Sequence, residues 1–241
     1  MKIIICLTAL FLSFSSITFS QSIIDFQAGT AIDIQAGASI CADSVIINGT
    51  FTGGGTICGL LYSFNITMFI QGYYDLTTDI MVSDTVIVFI RNSTAPYSIV
   101  DSSETVIDPS GSGEFSFANV LNGVNYYIEL KHRNSIETWS KTTQTFAGNS
   151  LTYNFTTAKT QAYGNNMINV DASPVRFAVY NGDVNQDGII DLNDVLLTYN
   201  AANVFASGYV VTDINGDNIT DLSDILIAYN NSTGFVAVVK P

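Results

Sequence analysis

Between residues 61 and 160 the chain alternates apolar and polar positions in short runs broken by Gly and Asn. "SFNITMFIQGYY" and "DTVIVFIRN" are rich in β-branched and aromatic residues. In "GEFSFANVLNGVNYYIELKHRN", Phe115 and Phe117 alternate with Glu114, Ser116 and Ala118 ahead of a turn at Asn122-Gly123, and "SLTYNFTTA" adds one more run. Period-two alternation at this spacing predicts an antiparallel β-sandwich over 61–160. Upstream, residues 22–60 form a β-rich, repetitive cap. "DFQAGTAI" is followed at once by "DIQAGASI", with the Asp, the Gln-Ala-Gly and the final Ile repeated. Such short-period repetition is read either as stacked strand-turn rungs of a β-solenoid or as a plain meander. Residues 161–181 read as a linker, with Pro174 and a short apolar strand, Val175 to Tyr180, that ends by pairing with something.

The period changes after residue 182. Leu192, Val195, Leu196 and Tyr199 are spaced i, i+3, i+4, i+7, and Leu222, Ile225, Leu226 and Tyr229 repeat that spacing. Each set predicts an amphipathic helix, and the two apolar stripes are expected to pack on each other with approximate two-fold symmetry. The fold class is therefore mainly β with a small α C-terminal domain over 182–241.

The N-terminus sets the expected compartment. Lys2 precedes an apolar run from Ile3 to about Phe14 and then small polar residues, the build of a secretory signal peptide over 1–21. The alternative, a membrane anchor, needs about 20 apolar residues, more than this run supplies. Cys6 falls in that segment. Cys41 and Cys58 remain, and in an oxidising compartment they are read as a disulfide rather than as two free thiols. Acidic residues number 21 against 8 basic, a net charge of −13, which argues against nucleic acid and against an anionic membrane surface. The expected location is secreted or cell-surface.

The strongest chemistry is a repeat. "GDVNQDGIIDLNDVLLTYN" (Gly182 to Asn200) recurs as "TDINGDNITDLSDILIAYN" (Thr212 to Asn230) at an offset of thirty. Ca²⁺ takes about six to eight oxygens, and a loop of about twelve residues supplies them from positions one, three, five, seven, nine and twelve. The first loop offers Asp183, Asn185, Asp187, the carbonyl of Ile189, Asp191 and Asp194. The second offers Asp213, Asn215, Asp217, the carbonyl of Ile219, Asp221 and Asp224. Two calcium ions are expected. Position six calls for positive φ, supplied by Gly188; the second loop has Asn218 there, a departure expected to weaken that site.

No helix is predicted ahead of either loop. Loop plus exit helix, in two copies over 182–241, resembles the type I dockerin domain. That resemblance implies a secreted protein that docks onto a cohesin-like module, in an extracellular polysaccharide-degrading or surface assembly. In the best-known dockerins a Ser-Thr pair at loop positions ten and eleven touches the cohesin. Here those positions are Leu192-Asn193 and Leu222-Ser223, and neither helix carries Lys or Arg. The calcium scaffold carries over while the partner specificity does not. The expectation is a different cohesin-like partner, or packing of the tail on the chain's own sandwich. The phrase "GEFSFANVLNGVNYYIELKHRN" also resembles carboxypeptidase-regulatory-like sandwiches, which implies an accessory or structural module.

An enzyme is not expected. Eight of the 21 acids lie in the two loops, and the rest, among them Asp75, Asp79, Asp84, Glu114, Glu129 and Glu137, form no recognisable pair for glycoside hydrolysis. His132, the single histidine, sits among cations in "KHRN" and reads as a surface residue, and there is no Gly-x-Ser-x-Gly elbow. The alternatives are a carbohydrate-binding accessory module and a component with glycosyl hydrolase activity. For binding a polysaccharide, Trp139, Tyr62, Tyr73, Tyr74, Tyr97, Tyr126 and Tyr127 are the aromatic candidates, Trp139 first, although alternating strand aromatics are more often core. Asn48, Asn65, Asn92, Asn154, Asn218 and Asn231 head glycosylation triplets, or chance ones in a chain this rich in Asn, Ser and Thr.

Overall fold

The computed structural model describes residues 23–42, 44–47, 50–58 and 61–241. The expected signal peptide lies outside these residues. The chain divides into two compact units, Met1–Leu60 and Leu61–Pro241.

The first unit contains β1 (Ile23–Phe26), β2 (Ala31–Asp33), β3 (Ser39–Cys41), β4 (Ser44–Ile47), β5 (Thr50–Thr52) and β6 (Thr56–Cys58). β1 pairs β4, β2 pairs β5 and β3 pairs β6, each in parallel. Parallel pairing of consecutive coils is a solenoid arrangement; a meander would pair neighbours antiparallel. The repeated letters have local work to do. Gln27 Nε2 donates to Asp25 Oδ2 at 2.7 Å, and Gln35 Nε2 donates to Asp33 Oδ2 at 2.9 Å. Gly29 and Gly37 take φ of +88° and +87°, the left-handed region a corner of this kind requires. Cys41 and Cys58 are register partners and form a disulfide.

The second unit begins with β7 (Tyr62–Thr67), β8 (Tyr74–Asp75), β9 (Ile80–Met81), β10 (Asp84–Asn92) and β11 (Ile99–Ile107). It continues with β12 (Ser112–Phe117), β13 (Asn125–His132), β14 (Thr138–Trp139), β15 (Gln144–Thr145) and β16 (Ser150–Asn154). One sheet has the order β11-β10-β13-β14 with β15 also on β13, and the other has the order β12-β7-β16. The large sheet is antiparallel throughout, but β16 runs parallel to β7, so the sandwich is not wholly antiparallel. Alternation places Val86, Val88 and Ile90 of β10, and Phe115 and Phe117 of β12, in the core. Phe146, fully buried, meets Tyr62 and Phe117 of the small sheet and Tyr126 of the large one edge to face. The turn at Asn122-Gly123 does not close a hairpin. β12 pairs β7 while β13 pairs β10, so the chain crosses between sheets there.

The stretch expected as a linker is woven into the same unit. β17 (Ile168–Ala172) and β18 (Val175–Ala178) form an antiparallel pair, and Val179 and Asn181 bridge Ile70 and Ser135. Two helices follow, α1 (Leu192–Ala202) and α2 (Leu222–Thr233). The molecule is thus mainly β with two C-terminal helices.

Phe115→Ala should cost about 3–5 kcal/mol of unfolding free energy, while exposed Ser116→Ala should stay within about 0.5 kcal/mol. Denaturant unfolding of both variants checks this; equal losses would contradict the assigned face.

Candidate metal centres and docking face

Each loop folds by the same local chemistry. Asn185 Oδ1 accepts from the Asp187 N–H at 2.9 Å and Asp187 Oδ1 from the Ile189 N–H at 3.0 Å; Asn215 and Asp217 repeat both bonds. These short side-chain-to-backbone turns are what Asn and Asp favour over helix or sheet. Asp191 and Asp221 then cap α1 and α2, each in a capping box with the Asp three residues on. Loop one pairs with the segment that leaves α2, through Ile190 N–H to Val236 O at 2.9 Å and Val238 N–H to Gly188 O at 2.9 Å. Loop two pairs with the segment that leaves α1, through Gly208 N–H to Asn218 O at 2.9 Å and Thr220 N–H to Ala206 O at 2.7 Å. The two repeats therefore brace each other about an approximate two-fold.

The carboxylates at loop positions one and twelve are buried, and those at position five, Asp187 and Asp217, are exposed. Asp194 Oδ1 accepts from the N–H groups of Val184 and Asn185, and its Oδ2 from Asp191; Asp224 does the same with Ile214, Asn215 and Asp221. Burial pushes the Asp194 and Asp224 carboxyls up, against these hydrogen bonds. Asp183 is 2% exposed, and its Oδ1 has no hydrogen-bond partner. Burial, then the charge of Asp194, pushes its carboxyl up to about 6. Among the described residues, no three or more His, Cys, Asp or Glu side chains converge as a metal cluster. The ligand set predicted from the sequence mixes carboxylates with Asn oxygens and a carbonyl. An orphaned buried carboxylate oxygen fits such a set, because a hard cation answers the charge that no protein group answers. Asn218 takes φ of +71°, and its N–H reaches Asp213 Oδ2 at 3.2 Å, the distance from Gly188 N–H to Asp183 Oδ2. The Asn-for-Gly departure leaves that contact unchanged.

The helices do not pack by the predicted stripe. Leu192 is 75% and Leu222 66% exposed, and Leu196, Tyr199, Leu226 and Tyr229 are each at least half exposed. The buried face is Asp194 and Thr198 on α1, and Asp224, Ala228 and Asn231 on α2. Val195 and Ile227 pack against Val184, Ile214 and Ala228. The reason is geometric: the position-twelve carboxylate must turn into its loop, and the residue four further on shares its face. Leu192, Leu196 and Tyr199 of one stripe, and Leu222, Leu226 and Tyr229 of the other, are thereby rotated to the outside.

The tail sits on the sandwich through polar groups. Asn181 Nδ2 donates to the Ile214 carbonyl, Asn231 Nδ2 to Gln71 Oε1 and Asn181 O, and Asn134 Nδ2 to the carbonyls of Val211 and Asp213. A Cβ on Gly72 would stand 2.5 Å from the Ile214 carbonyl, so only glycine allows this approach. Sequence reasoning missed these residues, since single Asn and Gly positions carry no pattern. His132 is buried, not on the surface. Its Nδ1 lies 2.8 Å from Ser135 Oγ and its Nε2 3.2 Å from Asp84 Oδ2. That is the order of a hydrolase triad, but Ser135 is 1% exposed and Asp84 also accepts from Arg133 and Tyr209. Burial raises the Asp84 carboxyl, but hydrogen bonds from His132, Tyr209 and Arg133 outweigh it and hold the group well below the usual range. Burial pushes the His132 imidazole down. The cluster is a buried clamp between sandwich and tail. Trp139 is 3% exposed, with Nε1 donating to Glu137, so it is core and no sugar platform.

No protein-family model and no curated protein matches the chain. Among solved structures it is similar to a chain of a type II cohesin-X-dockerin complex from Acetivibrio cellulolyticus, an N-terminal interface mutant, at a TM-score of 0.38 and 17% identity, over 73% of this chain and 97% of that one. At that score the likeness carries no functional weight. Among the described residues no helix is long and apolar enough to cross a membrane.

For metal-free protein the sign of the pH dependence follows from Asp183. Its folded value, about 6, lies above the ordinary 3.8. Its contribution to stability is therefore full below about pH 4 and is lost as pH rises through about 6. Thermal melts in chelator across that window should show the loss, and Asp183→Asn should flatten it; an unchanged slope in the variant would contradict the assignment.

Proposed function

We propose that this is a secreted, non-enzymatic, calcium-binding docking protein of dockerin type. The observation that carries the reading is the buried, unpartnered oxygen of Asp183 at position one of a loop that the chain writes twice. Asp183, Asn185, Asp187, the Ile189 carbonyl, Asp191 and Asp194 would hold one ion. Asp213, Asn215, Asp217, the Ile219 carbonyl, Asp221 and Asp224 would hold the other. A bound divalent cation supplies the positive charge that four clustered carboxylates per loop call for, and binding to the folded state alone raises stability.

The docking face in this reading is the exposed apolar surface of Leu192, Leu196 and Tyr199 with Leu222, Leu226 and Tyr229. Its two-fold repetition suits a protein partner. Leu in place of the Ser-Thr pair suits a cohesin-like module with an apolar counter-surface. The tail does pack on its own sandwich, but through its loops and the Asn231 side, which leaves this face free. A polysaccharide-binding reading loses its first candidate with the burial of Trp139.

Calorimetric titration with Ca²⁺ should give binding heat and a raised melting temperature, both absent from an Asp183→Ala, Asp213→Ala double variant. No heat in the unmodified protein would refute the reading. Separately, a Leu192→Gln, Leu222→Gln double variant, which adds no charge beside the loops, should bind Ca²⁺ normally yet lose at least about tenfold in affinity for a cohesin module that the unmodified chain captures; unchanged capture would remove this face from the interface.

A further inference from the structure

The two loops align position by position, yet their first carboxylates stand in different surroundings. Asp183 takes one contact of note, the Gly188 N–H at Oδ2, and leaves Oδ1 buried and unpartnered. Asp213 is fully engaged. Its Oδ1 accepts from the N–H groups of Gly216 at 2.9 Å and Asp217 at 3.1 Å, and its Oδ2 from Asn218 at 3.2 Å and from the Arg133 guanidinium at 3.4 Å. Arg133 belongs to the sandwich, one residue past β13, and its side chain is 12% exposed. Its Nε donates to Asp84 Oδ2 at 3.0 Å, and its other nitrogens reach the Tyr73 hydroxyl and the Val210 carbonyl. The ring of Tyr209 lies 4.2 Å away. Held on four sides, this guanidinium is a fixed positive charge against the second loop. Among the described residues no ion pair reaches Asp183.

We propose that Arg133 is the resident counter-charge of the second loop, so that the two loops are unequal calcium sites, the first tight and the second weak. The proposal rests on the calcium reading above and gives it an order. A cation entering the second loop shares Asp213 with a guanidinium in a weakly screened setting, where like charges repel strongly. A cation entering the first loop meets an unanswered carboxylate oxygen. The anchoring differs in the same sense. The second loop is tied down at Asp213 by Arg133, Asn134 and the Tyr73 hydroxyl, and at Ile214 by Asn181, with no metal required. The first reaches the sandwich through Gln186 Nε2 to the Ser135 carbonyl at 3.3 Å, with the Gly182 N–H just ahead of it on the Asn134 carbonyl at 2.6 Å. The second loop is thus the more firmly held of the two, and the first is the one left for calcium to order.

The test is calorimetric titration of the full chain with CaCl₂ at constant ionic strength. The unmodified protein should show one tight event and a second at least about tenfold weaker, the scale of a neighbouring like charge. Asp183→Ala should abolish the tight event and Asp213→Ala should spare it. Arg133→Met should tighten the weak event by about tenfold, while Arg133→Lys, which keeps the charge, should leave it weak. Should Arg133→Met fail to fold, the two aspartate variants still decide: loss of the tight event in Asp213→Ala in place of Asp183→Ala overturns the proposal. Two equal events unmoved by Arg133→Met would overturn it and leave the calcium reading standing. No heat in any of these proteins would instead remove the calcium reading, and the ordering with it.

Discussion

Four buried carboxylates organise the tail. Asp183, Asp194, Asp213 and Asp224 are withdrawn from water in pairs, where ionised groups are costly unless answered by hydrogen bonds or opposite charge. Backbone N–H groups answer the position-twelve members, and in doing so they set the path of each loop and the start of each helix. Once Asp194 and Asp224 point inward, Thr198 and Ala228 must follow, and small side chains there let the helices close on Val184 and Ile214. The leucines and tyrosines are then left on the outside. A face suited to docking is in this sense a by-product of where two carboxylates have to go.

The sandwich supplies the rest of the setting. Its contribution is a polar edge of Gln71, Tyr73, Asp84, Arg133, Asn134 and Asn181 that meets the back of the tail. Buried ion pairs are costly to assemble and costly to break, because removing one partner leaves an uncompensated buried charge. Here the geometry of that edge carries Arg133 to Asp213 and leaves Asp183 unanswered. Two closely similar loops therefore acquire different electrostatics, through Arg133 on the sandwich side and through the N–H groups of Gly216 and Asp217 within the second loop.

Much of this was legible in the sequence. Phe115 and Phe117 alternate with polar residues and lie in the core as expected, because a half-buried strand shows its period directly. The paired Asp-x-Gln units proved to be local hydrogen bonds of successive strand corners, and one of the two readings of the cap, stacked rungs, matches their parallel pairing. The loops and their exit helices are where the repeat puts them. Other features were not legible. An i, i+3, i+4, i+7 stripe shows that a helix has an apolar face, not that the face is covered, and Leu192 and Leu222 are exposed because a stronger local demand fixed the helix rotation. His132 among cations looked like surface, yet it is buried in a cluster that the tail joins through Tyr209, and the approach of the tail depends on Gly72 and on isolated asparagines. Non-local contacts of single residues leave no periodicity to read.

The most direct test of the central claim, that a cation settles the buried carboxylates, is amide hydrogen exchange of the full chain with and without Ca²⁺. The account predicts added protection across the loop that begins at Asp183, with a smaller gain across the loop that begins at Asp213 and none in the sandwich core. Exchange unchanged by Ca²⁺ in both loops would contradict it.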